Sequence, residues 1–89
     1  MPQAVVDPDE LRQFAASLRR MQLAMRDQLS TVQHQLDALG ATWRDQEHAR
    51  FTELFSEHTR GMAKLTEESE AYIRYLLRKA EQIETYLQS

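Results

Sequence analysis

The sequence predicts an all-α fold, two long antiparallel helices joined by a tight turn. Three observations carry that expectation. Apolar residues recur at alternating spacings of three and four from Leu11 to Leu39, and again from Phe51 to Leu87. No proline follows Pro8. One of only two glycines, Gly40, falls between the two runs. The 89 residues have room for one domain, 1–89, with a helix over 8–39, a turn at 40–42 and a helix over 43–87.

The first helix has a strong start signal in Asp7-Pro8-Asp9-Glu10. Asp7 suits the N-cap, Pro8 the first helical position, and Glu10 the third position of a capping box. Leu11, Phe14, Leu18, Met21, Met25, Val32 and Leu39 then form one apolar stripe, with Leu29 and Leu36 one residue out of frame. Arg19-Arg20, outside the stripe, reads as part of a solvated face rather than an anion site, because acids outnumber bases in the chain.

The turn is Gly40-Ala41-Thr42-Trp43-Arg44-Asp45. Gly40 is expected to stop the first helix by entering the left-handed conformation. Thr42 is expected to cap the second helix, with Asp45 answering from its third position. Trp43 then stands in that helix's first turn. It covers Leu36 and Leu39, or fills a groove that a partner recognises.

The second helix repeats the stripe through Phe51, Phe55, His58, Met62, Leu65, Ser69, Tyr72, Leu76, Ala80, Ile83 and Leu87. Folding back at Ala41 sets Leu39 against Trp43, Val32 against Phe51, Met25 against His58, Leu18 against Leu65 and Leu11 against Tyr72. The remaining apolar residues Leu54, Ile73, Leu77 and Tyr86 make the helix sticky over more than one neighbour can cover. A wide stripe on a two-helix unit implies dimerisation, most simply into a four-helix bundle. Phe14, Leu18, Phe51, Phe55, Leu65 and Tyr72 are expected to hold the hairpin, and Gly61 to permit close helix approach or a slight bend.

Composition narrows the function. The net charge of −3 argues against nucleic acid. The absence of cysteine excludes disulfides and thiolate metal sites. No apolar run reaches membrane-spanning length, and the N-terminus does not read as a general secretory signal. Asp45-x-x-His48 has the spacing of two metal ligands on one helix face, but a di-iron bundle needs that motif twice. His34 and His48 read as solvent-facing and His58 as a seam residue. Met21, Met25 and Met62 read as core filler. Tyr75 is the tyrosine best placed for recognition. The serines have no glycine-rich elbow and no acid–base partner, so no enzyme and no cofactor is expected.

The segment Leu39-Gly40-Ala41-Thr42-Trp43-Arg44-Asp45-Gln46-Glu47-His48-Ala49-Arg50-Phe51, with Phe55 beyond it, resembles the WXG family of bacterial type VII secretion proteins. That family's tryptophan is followed two residues later by glycine, where Asp45 stands here, making a Trp-x-Asp variant. The resemblance implies a helical hairpin that pairs with itself or with a related hairpin protein. It further implies a cytoplasmic protein before export, acting as a secreted factor or as an adaptor for a toxin or larger substrate. Trp43 and Asp45 would define the turn and its recognition groove. Export in the family is linked to a Tyr-x-x-x-(Asp or Glu) signal, yet Tyr72 is followed four residues later by Leu76 and Tyr75 by Lys79. Export is therefore expected to need a partner chain that brings the signal. The competing readings are a structural coiled-coil subunit without a secretion role, and a metal-binding bundle.

Overall fold

The computed structural model describes residues 6–88. Two helices, α1 over Pro8–Leu39 and α2 over Gln46–Gln88, account for nearly all of them, and no strand occurs among the described residues. The hairpin class expected from the sequence is the one observed. The start of α1 also follows expectation: the Asp7 carboxylate accepts the Asp9 N–H at 2.9 Å, and the Asp7 carbonyl accepts the Leu11 N–H.

The connection between the helices departs from expectation in two ways. No described residue has a positive φ, so Gly40 does not end α1 in the left-handed conformation. The exit is a run of tightened turns instead, with the N–H groups of Gly40, Ala41 and Thr42 donating to the carbonyls of Asp37, Ala38 and Leu39. Those bonds draw Thr42 into the end of α1, so it cannot open α2. The second helix starts at Gln46 rather than at residue 43, and its N-cap is Asp45. One carboxylate oxygen of Asp45 accepts the N–H groups of Glu47 and His48 at 3.0 and 3.1 Å.

Contacts within the chain divide it into two compact units: Gln22–Thr66, and Met1–Met21 with Glu67–Ser89. In the first, α1 and α2 run antiparallel around Leu36, which is buried, with Met25, Leu29, Phe55 and Met62 partly buried. Buried Gln22 sends its amide N–H to the Thr66 carbonyl at 3.4 Å. Val32, Leu39, Trp43 and Phe51 line one depression near the turn. Gln22 reaches Thr66, about five residues beyond the partner that folding back at Ala41 sets for it.

In the second unit the helices are again antiparallel, around buried Ala15, Ile73 and Ala80. Two alanines at the contact let the backbones approach closely. Ion pairs flank this contact, Arg12 with Glu84 and Arg19 with Glu70 at 3.3 Å. The hydrogen bond that Arg12 donates to the Glu84 carboxylate, aided by the charges of Glu84 and Asp9 and opposed by desolvation, holds the Arg12 guanidinium above its ordinary pKa.

The contact between the helices is rotated by one residue from the apolar frame read in the sequence. On α1 the heptad-spaced Ala15, Gln22, Leu29 and Leu36 turn inward, and on α2 Thr52, Thr59, Thr66 and Ile73 do so. Leu11, Leu18, Met25, Phe55, Met62 and Leu76 are partly buried. Phe14, Met21, Val32, Leu39, Phe51, Leu65 and Tyr72 remain exposed, Phe14 at 56% and Tyr72 at 66%. The expected roles of Phe14, Phe51, Leu65 and Tyr72 in holding the hairpin are therefore corrected: the contact within one chain does not cover them.

The physical reason lies in the threonines. Thr52 and Thr59 donate their hydroxyls to the carbonyls of His48 and Phe55, four residues back, both at 2.8 Å. A hydroxyl satisfied within its own helix leaves the methyl group free to pack. A residue that counts as polar in hydropathy thus behaves as a small apolar one.

Candidate interaction site at the turn

The turn gathers the functional candidates of unit Gln22–Thr66. Trp43 lies in the connection, three residues before α2 rather than in its first turn, and is half-buried. Its N–H donates to the Leu39 carbonyl at 2.7 Å. Its ring meets His48 edge-on, with centroids 5.0 Å apart and planes at 70°. Val32, Gln35, Leu36, Leu39, Trp43 and Phe51 line a shallow depression of about 290 Å³. Phe51 extends the aromatic surface by stacking on Phe55 at 6.2 Å.

His48 was expected to face solvent, but it is half-buried and ties the two helices together. Its Nε2 lies 3.1 Å from the Leu36 carbonyl oxygen. Gly40 makes room for this. A Cβ at position 40 would lie 3.1 Å from the Asp37 carbonyl oxygen and 3.2 Å from His48 Cε1. The glycine thus spares the imidazole and the Asp37 carbonyl a tight contact, and it does not serve a special φ. Imidazole, indole and α1 carbonyl form one cluster, which fixes the face that Trp43 presents.

The same geometry reassigns the Asp45-x-x-His48 spacing. It is the spacing of an N-cap and the third helical position, and the Asp45 carboxylate is used on the N–H of His48. No group of three or more metal-ligating side chains occurs among the described residues. His34 is exposed. His58 is exposed too, with Nδ1 3.0 Å from the Leu54 carbonyl, and is not a seam residue. Met25 and Met62 are partly buried while Met21 is exposed. Tyr75 is on the surface, with Lys79 Nζ 6.0 Å from its ring centroid. The sequence reasoning missed His48 as a structural residue. A histidine one turn into a helix, eight residues after a glycine, was the available signal.

Fold and site together define a helical hairpin whose turn carries an ordered aromatic surface. A family model described as "Proteins of 100 residues with WXG" (WXG100) matches residues 3–86, and the chain belongs to that family. It is a family of small helical proteins related to type VII secretion. Neither the comparison with curated proteins nor that with solved structures gave a match. No helix among the described residues is long and apolar enough to cross a membrane.

Proposed function

We propose that this chain is a non-enzymatic interaction subunit of a type VII secretion system. It pairs with a second copy or a related hairpin into a four-helix bundle, and serves as a secreted substrate or as an adaptor for larger cargo. One observation carries the reading: Val32, Leu39, Phe51 and Leu65 are exposed in the unit Gln22–Thr66, and Phe14, Met21 and Tyr72 in the other. Large apolar side chains in such number mark surfaces for association. Gly40, Trp43 and Asp45 build the turn. Trp43, held by His48, is the anchor offered to the machinery or cargo.

Light scattering after size exclusion, with circular dichroism on each fraction and a range of concentrations, tests this. A helical dimer is the expected result. A monomer that stays fully helical and unpaired at every concentration, alone or with related hairpins, overturns it. Within a dimer, Trp43→Ala should weaken cargo binding while helix content is retained. Loss of helix content instead would reduce Trp43 to a structural role.

A further inference from the structure

We propose that the outward face of α2 around Tyr75 binds an acidic segment of a partner protein, with Arg78 and Lys79 holding its carboxylates. The site lies within one chain and needs no second copy to be complete.

The sequence sets the charge. Three of the chain's 11 basic residues, Arg74, Arg78 and Lys79, fall between Ala71 and Ala80, and none of its 14 acidic residues does. On a chain of net charge −3 this is a local reversal of sign. Elsewhere in the same unit arginines are matched by acids, Arg12 with Glu84 and Arg19 with Glu70. Arg74, Arg78 and Lys79 form no ion pair with a described residue. Glu70, one turn before Arg74, is taken by Arg19 of α1.

The fold places these groups together. Ile73 and Ala80 turn toward α1 and are buried. At about 3.6 residues per turn, Tyr75, Arg78 and Gln82 then fall on the opposite side of the helix, with Lys79 beside them. These four line a depression of about 330 Å³ that contains no carboxylate. Each can donate a hydrogen bond, through a phenol, a guanidinium, an amide or an ammonium. The Lys79 ammonium stands 6.0 Å from the Tyr75 ring centroid, and Lys79 is half-buried. A cation partly withdrawn from water, with an arginine lining the same hollow, favours an anion that enters from outside.

Two features choose a protein carboxylate over a phosphate polymer or a lipid surface. A second hollow of about 250 Å³, lined by Ala71, Tyr72 and Tyr75, shares the Tyr75 side chain and offers an uncharged seat for an apolar side chain beside the charge. Glu68 precedes and Glu81 follows the cationic stretch, which is about 15 Å long. A long polyanion tracking the helix would meet those carboxylates and be repelled, whereas a short segment with clustered acids avoids them. Tyrosine and arginine are also the residues that most often anchor protein contacts.

Fluorescence anisotropy tests this with the full chain and a labelled peptide of glutamate, alanine and leucine, beside the same peptide with glutamine for glutamate. The acidic peptide should bind and be released by about 0.5 M salt, and the glutamine peptide should not bind. Arg78→Glu with Lys79→Glu should weaken binding at least about tenfold, and Tyr75→Ala about tenfold. Arg60→Glu with Lys64→Glu changes the net charge equally but lies outside the patch, so it should weaken binding by less than about twofold. If charge reversal lowers helix content by circular dichroism, Arg78→Gln with Lys79→Gln takes its place and should weaken binding in the same direction. Failure of the acidic peptide to bind, or equal loss in the two paired reversals, overturns the assignment. So does tighter binding to a single-stranded oligonucleotide or to phosphatidylglycerol vesicles than to the acidic peptide.

Discussion

At the scale of single residues, Asp45 accounts for how an acid can stand where the family's motif has glycine. The position is the N-cap of α2, and its φ is not positive, so nothing there demands glycine's conformational freedom. Aspartate and glycine are both favoured N-caps: one supplies an acceptor, the other leaves the N–H groups open to water. Asp45→Ala should therefore cost about 1 kcal/mol of stability, and Asp45→Gly only a few tenths. Urea titrations followed by circular dichroism check both. Equal losses would mean the carboxylate's capping bonds contribute little. Gly40 makes a different demand. Gly40→Ala would crowd the His48 ring and the Asp37 carbonyl, and should cost about 1 kcal/mol as the His48 bond to Leu36 is lost. The single tryptophan reports it, since Trp43 packs on that ring. A shifted Trp43 emission maximum is expected, and an unchanged spectrum would separate Gly40 from His48.

At the scale of the helices, the threonines decide which face turns inward. Thr59 uses its hydroxyl on the Phe55 carbonyl, which sits inside a helix and also has its helical partner. Thr59→Val keeps the branched shape and orphans no buried group, so stability should change by less than about 0.5 kcal/mol. Thr59→Asp should destabilise clearly, because it places a charge against the seam. Thermal melts of the two variants distinguish a packing threonine from a solvated one. This also shows what the sequence made legible and what it did not. The start of α1 follows from local chemistry at Asp7-Pro8, and its end falls before Gly40 as read, though by tightened turns rather than by a left-handed glycine. The start of α2 does not, because Thr42 and Asp45 are both good caps, and only the tightened exit of α1 removes Thr42 from the choice. The inward face was misread by one residue because hydropathy prefers Phe51 and Leu65 to Thr52 and Thr66 as a frame, and the three-four spacing from them then selects Tyr72 over its neighbour Ile73. Periodicity fixes the repeat; it does not say which of two adjacent stripes meets its own chain and which meets another.

At the scale of the whole molecule, the pairing proposed for that second stripe would make stability a matter of concentration. Among the described residues, Ala15, Leu36, Ile73 and Ala80 are the buried apolar side chains, and two of the four are alanines. Such a core gives little to set against the entropy of ordering 89 residues. If the exposed stripe is completed by a second copy, folding and pairing become one equilibrium, and mass action enters the unfolding free energy. Raising the protein concentration about a hundredfold should then add about 2.7 kcal/mol per mole of dimer, seen as a higher urea midpoint at unchanged slope. A midpoint independent of concentration would mean the single hairpin is stable alone and its exposed aromatics await only cargo. Adding Leu65→Lys separates these cases further. In a self-paired molecule the charge enters the association face and should remove the concentration dependence by keeping the chains apart. In a free-standing hairpin it replaces a side chain already half in water, and should leave the midpoint nearly where it was.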